Sequence, residues 1–166
     1  MTHARRTGAE WLMTIGSAFF ILSLAISAAF VPELRGLHVA QAAMYVAAIF
    51  LSLRSNRWGY FLGIAAAGFW GLTAMFGSVL FAELISHPSR PDLVLQGLAW
   101  MANLAVVVGS VLGYRKLSGL RGDAGRFVLT LVAATGYLVA ATAALAPSYL
   151  PNLAGLLHPH WPWTRS

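Results

Sequence analysis

The chain has 166 residues, 58% hydrophobic and only 10% charged, where a soluble domain carries roughly 25% charge. So few charges cannot build a water-facing surface, which excludes an ordinary soluble domain and points to a protein whose solvent is lipid. The eleven bases and five acids, net +6, fall as singles and pairs beside apolar runs, so the positive charge is a topology signal rather than a face for nucleic acid.

Cysteine is absent, which removes disulfide frameworks, thiolate nucleophiles and cysteine-ligated zinc or iron–sulfur sites. Ten arginines against one lysine, with abundant alanine and glycine, suggest a bacterial source and hence the inner, plasma membrane.

Crossing a hydrocarbon core of roughly 30 Å takes about 20 apolar residues at 1.5 Å each. Five runs, uncharged but for Glu83 at the end of the third, come close to that length or exceed it. The first covers 11–31 and stops at Pro32-Glu33. The second covers 37–53, opening at His38 or a turn earlier near Leu34. The third, 58–84, is longer than a perpendicular span requires and is expected to tilt. The fourth covers 93–114, and the fifth 127–150, where Pro147 and Pro151 interrupt it. The expected fold is therefore all-α, a polytopic bundle of five transmembrane helices within residues 1–150. The tail 151–166, with Leu153, Leu156, Leu157, Trp161 and Trp163, reads as an interfacial segment on the outer surface. Arg5-Arg6 before an apolar stretch that contains Ser27-Ala28-Ala29 also fits a cleaved signal peptide. The run exceeds the roughly 7–15 residues of a signal core, so it is read as a retained helix.

Orientation follows from the bases. Arg5, Arg6, Arg54, Arg57, Arg115, Lys116, Arg121 and Arg126 fall on one side of the five spans, and Arg35, Arg90 and Arg165 on the other. The side richer in arginine and lysine faces the cytoplasm, which puts the N-terminus inside and the C-terminus outside. Trp11 and Trp58 at the inner ends fit an aromatic belt.

Helices in lipid associate through close backbone approach and interhelical hydrogen bonds. Gly59, Gly63, Ala67, Gly71 and Ala74 supply small residues along the third span, Gly109 and Gly113 along the fourth, and Ala134, Ala141 and Ala144 along the fifth. Gln96, Asn103 and Ser110, seven residues apart, share one face of the fourth span with Trp100, and Gln41 and Tyr45 share a face of the second. Amides in hydrocarbon need partners. Together with Trp70, these side chains either line a pocket for a small neutral solute or knit the helices to one another.

Apart from Glu83 at the outer end of the third, the predicted spans hold no Asp, Glu, Lys or Arg between their anchors, which speaks against a proton-coupled pump, a voltage sensor or an intramembrane carboxylate protease. No serine sits in a Gly-x-Ser-x-Gly elbow and no glycine-rich phosphate loop is present. Neither catalysis nor a cofactor is expected. Four histidines fall toward the outer side: His38, His87, His158 and His160, near Glu33, Glu83 and Asp92. Imidazoles among carboxylates make a candidate outer-face metal site, although their spacing matches no established metal signature.

The stretch Leu95-Gln96-Gly97 running to Gly113-Tyr114, behind an aromatic-rich third span, resembles one span of vitamin-type facilitators such as the nicotinamide riboside transporters. The resemblance covers that span alone, and membership of the family does not follow from it. The expected role is that of a multi-pass protein without catalysis, acting as an accessory or assembly subunit or as a homo-oligomer. The alternatives are a neutral-solute facilitator and an outer-face metal binder. The partners implied are the bilayer and other membrane subunits or further copies of the chain, with no nucleic acid.

Overall fold

The computed structural model describes residues 7–77, 91–117 and 123–149. Among these residues every regular element is helical. Helix α1 runs Gly8–Phe30, α2 Arg35–Ser52, α3 Arg57–Gly77, α4 Pro91–Arg115 and α5 Asp123–Leu145. Short 3-10 turns at Pro32–Leu34 and Pro147–Tyr149 precede α2 and follow α5. Among the described residues four segments are long and apolar enough to cross a membrane: Gly8–Phe30, Pro32–Ser52, Val94–Arg115 and Asp123–Leu145. The expected continuation of the third span over 78–84 and the tail 151–166 lie outside the described residues.

Local chemistry explains where the helices begin and end. The Thr7 hydroxyl accepts from the Glu10 amide, and the Glu10 carboxylate accepts from the Thr7 amide at 2.8 Å. This reciprocal box, written as Thr7-Gly8-Ala9-Glu10, satisfies two amides of the helix start and opens α1 ahead of the expected residue 11. Helix α2 takes the earlier of its two expected starts, because the proline-led turn Pro32–Leu34 feeds directly into it. Arg35 Nε donates to the Ala28 carbonyl at 3.0 Å and fastens the α1–α2 corner. In the short α2–α3 connection Ser55 adopts a left-handed φ of 54°, and the Asn56 side chain accepts from the Trp58 amide at 3.0 Å, an N-terminal cap for α3.

The fifth helix departs furthest from expectation, covering Asp123–Leu145 instead of 127–150. Its first turn takes in Asp123 and Arg126, which the charge pattern had placed outside the span; pairing makes their inclusion tolerable. It stops at Leu145 because the residue before Pro147 is driven out of the α region.

The packing inverts that of a water-soluble bundle. On α1, Trp11, Ile15, Phe19, Leu22, Ile26 and Phe30 face outward, while Met13, Gly16, Ser17, Phe20 and Ser23 are buried. On α4, Leu98, Met101, Leu104, Val108 and Leu112 face outward, over buried Ala99, Ala102, Asn103, Val106 and Ser110. Only 28–33% of the residues in each of the four apolar windows are buried in the bundle. Such an exterior is the one lipid tolerates: large aliphatic groups gain nothing by turning inward there, and small ones let backbones meet.

Helices α1, α2, α3 and α4 form a ring in which each touches the next, with α1 most extensively packed on α4. Helix α5 lies outside the ring against α3 and, to a lesser extent, α2. Glycines set the closest approaches. A β-carbon on Gly109 would lie 2.5 Å from the Met13 amide nitrogen, and one on Gly16 2.8 Å from the Ala102 carbonyl oxygen. Gly63 accommodates Ser110 and Met13, Gly113 the Tyr60 ring, and Gly71 the Trp100 ring. Gly59 packs instead on the α2 backbone at Leu51 and Ser52, so the small residues expected along α3 serve three neighbours, α1, α2 and α4. On α5, Ala134 and Ala141 are buried but Ala144 is exposed. The inner stripe runs Thr130, Ala134, Leu138, Ala141 and Thr142, and Ala144 belongs to a second, outward row.

Candidate functional site

The middle of the ring holds an amide and aromatic cluster. The Tyr45 hydroxyl on α2 donates to Asn103 Oδ1 on α4, and Asn103 Nδ2 donates to the Ala99 carbonyl at 3.1 Å. Both side chains are buried, with 2% and 3% of their surface exposed. The Phe20 ring of α1 lies 4.5 Å from Tyr45 and, edge-on, 5.1 Å from Trp70 of α3. Trp70 in turn meets Trp100 of α4 at 5.3 Å, where Gly71 makes room for the indole. Edge-to-face pairs of this kind place ring hydrogens on a neighbour's π-face. All four ring helices therefore contribute to one cluster.

Of the six residues expected to line a pocket, Tyr45, Trp70, Trp100 and Asn103 converge here. Gln41 borders a void of about 10 Å³, shared with Phe20, Tyr45, Trp70 and Leu138, about the space one water needs. Its Oε1 is buried without a hydrogen-bond partner. Gln96 is half-buried on α4 and makes none of these contacts. Phe20, the hinge of the cluster, was not singled out from sequence.

A second cluster lies where α3, α4 and α5 meet at the basic end of the bundle. Asp123, 2% exposed, receives Arg57 Nη1 at 2.9 and 3.1 Å, Arg126 Nη1 at 3.1 Å and the Tyr114 hydroxyl at 3.1 Å. Phe61 packs beneath it between Tyr114 and Phe127, at 5.0 and 5.5 Å. The only signal in the sequence was that Asp123 is the one acid in a segment carrying Arg115, Lys116, Arg121 and Arg126. Nearby, the Tyr60 hydroxyl reaches Glu10 at 3.4 Å.

Between α5 and the α2–α3 pair runs an open apolar groove of about 580 Å³, lined by Ala43, Met44, Ala47, Trp58, Leu62, Leu129, Thr130, Ala133, Ala134 and Tyr137. The Tyr137 hydroxyl crosses to donate to the Ala40 carbonyl at 3.2 Å. Helix α5 is thus fastened near Asp123 and again at Tyr137, with the groove between.

Of the histidines considered for a metal, His38 is buried in the first turns of α2 with its Nδ1 unpartnered. His87, His158 and His160 lie outside the described residues. Among the described residues no three His, Asp or Glu side chains are grouped to hold a metal ion. No protein-family model matches the chain, and neither a curated protein nor a solved structure does.

Proposed function

We propose that this chain is a five-span integral membrane protein of a bacterial inner membrane, N-terminus in the cytoplasm, acting without catalysis as an accessory or assembly subunit or as a homo-oligomer. The observation that carries this reading is on α5. Gly136, Ala140 and Ala144, four residues apart, form a row of small exposed side chains, and a β-carbon on Gly136 would meet nothing within 4 Å. Small-xxx-small rows let a second helix approach to backbone contact in lipid. Inside the bundle the equivalent positions, Gly16 and Gly109, already have such a neighbour. The Gly136 row is the same device left open.

Crosslinking from a single cysteine tests it, and the native chain has none to confuse the result. Gly136→Cys in native membranes is expected to capture a stoichiometric partner or a second copy, and Gly136→Leu to abolish the complex. Capture of lipid-sized adducts alone would defeat the reading.

The facilitator reading retains one supporting observation, the unpartnered Gln41 Oε1 beside the small central void. Uptake of a small neutral solute by proteoliposomes, lost in Gln41→Leu with folding intact, would favour it. The Tyr45 to Asn103 bond favours the alternative, since it commits the central polar groups to each other.

A further inference from the structure

We propose that the groove between α5 and the α2–α3 pair binds one acyl chain of an anionic phospholipid from the cytoplasmic leaflet, with its phosphate at Arg126. This rests on the reading of the bundle as membrane-spanning with its basic end inward.

The groove offers an acyl chain what it needs and little else. Its two hydroxyls are already engaged: Thr130 donates to the Arg126 carbonyl at 2.8 Å and Tyr137 to the Ala40 carbonyl. What remains is methyl, methylene and ring surface on Ala43, Ala47, Trp58, Leu129 and Ala133.

Dimensions select the occupant. A chain of about sixteen methylenes, each taking up roughly the 30 Å³ of a water-sized group, fills about 480 Å³ of the available 580 Å³. A helix about 10 Å across would exhaust the same space in about 7 Å, little more than one turn. Along α5, Leu129 to Tyr137 is about 12 Å, and Arg126 lies about 4.5 Å beyond. Together they match the ~15 Å hydrocarbon depth of a single leaflet.

Charge fixes the head group. Arg126 precedes Leu129, Thr130, Ala133 and Tyr137 by three, four, seven and eleven residues and so stands on the same face of α5. Its side chain is 55% exposed. Asp123 lies between Arg126 and Arg57, so one carboxylate faces two guanidiniums and the cluster keeps a positive charge. Arg54, Arg115 and Lys116 add to the field at this end, against Glu10. Trp58 borders the groove next to Arg57 in the sequence, at the depth where indoles anchor in the interface.

The test is native mass spectrometry of delipidated protein in detergent, titrated separately with dioleoyl phosphatidylglycerol and dioleoyl phosphatidylcholine. One phosphatidylglycerol is expected to remain bound, held about fivefold more tightly than phosphatidylcholine, the increment a single arginine supplies. Ala133→Trp fills the groove from α5 and Ala47→Trp from α2, and each should eliminate the bound lipid while the thermal unfolding midpoint stays unchanged. Having both keeps the test decisive should one fail to fold. Arg126→Gln should keep the lipid and erase the preference. Retention of phosphatidylglycerol by a folded groove-filled variant overturns the proposal, as does equal affinity for the two lipids. A lipid-free dimer that Ala133→Trp dissociates overturns it in favour of a second copy. Alkaline carbonate extraction separates the two levels of failure: a chain released from membranes defeats the membrane-spanning reading, whereas a retained chain that binds no phosphatidylglycerol defeats the groove alone.

Discussion

Along the seam between α1 and α4, Gly16 and Gly109 press backbone against backbone, so that an added β-carbon would stand 2.5–2.8 Å from main-chain atoms. Along α5, a β-carbon added to Gly125 or Gly136 would meet no other part of the protein within 4 Å. Small residues at four-residue spacing occur in both regions, Gly109 and Gly113 on α4 and Gly136, Ala140 and Ala144 on α5; what differs is whether another helix lies across them. The seam is the most extensive helix contact among the described residues. Helix α5 packs on its neighbours through the narrow stripe Thr130, Ala134 and Leu138, is fastened by Asp123 with Arg57 at one end and Tyr137 with Ala40 further along, and leaves an open groove beside that stripe. In lipid this distinction matters, because no hydrophobic collapse closes a gap that hydrocarbon can fill.

The largest expected effect comes from breaking the seam. Gly109→Leu forces a side chain into the α1 backbone and should cost about 3 kcal/mol or more, read as loss of folded protein in a denaturing-detergent titration. Gly136→Leu, the matched change on α5, should leave monomer stability within about 0.5 kcal/mol. Equal destabilisation by the two would erase the contrast between the regions.

Next is the fastening at the start of α5. Asp123→Ala leaves Arg57 and Arg126 facing each other without their shared carboxylate, and α5 should loosen while the four-helix ring persists. A cysteine placed at Ala134, buried against the ring, should then become reactive to a membrane-permeant thiol reagent, whereas one at Ala102 on α4 should stay protected. Labelling of both positions would mean that α5 and the ring unfold as one unit.

Within the ring, Tyr45→Phe strands Asn103 Oδ1 and should cost about 1 kcal/mol. Adding Asn103→Leu should recover part of that loss, so a double-mutant cycle between the two positions should show a clear coupling energy. Zero coupling would sink the idea that this bond ties α2 to α4. Smallest is Tyr137→Phe, which removes the hydrogen bond to Ala40 at a part-exposed site and should cost about 0.5 kcal/mol. Its effect on unfolding of the ring should be nil.

Much of the site's composition was legible before its geometry. Tyr45 and Asn103 stood out because polar groups in apolar runs must find partners, and Trp100 because it shares the face of Asn103, with Trp70 added from the neighbouring third span. Phe20 could not be found this way. Phe19 and Phe20 are adjacent and chemically identical, yet one is 62% exposed and the other fully buried. The Asp123 cluster escaped for a related reason: its partner Arg57 is 66 residues away, and each charge alone reads as an ordinary loop anchor. The capping box Thr7-Gly8-Ala9-Glu10 was legible and would have placed the start of α1 correctly.

Hydrocarbon thickness fixes span length, and proline, capping residues and charge fix span ends, so the sequence by itself determined an all-helical, apolar chain with segments long enough to cross a membrane. Those constraints act on each segment separately and need no neighbour. Which face of each helix turns inward, which glycines meet a backbone and why α5 stands apart were decided only by tertiary structure. A helix that is apolar all round carries no amphipathic stripe to orient it, and in lipid the choice falls to shape complementarity and to the few polar groups that must find each other.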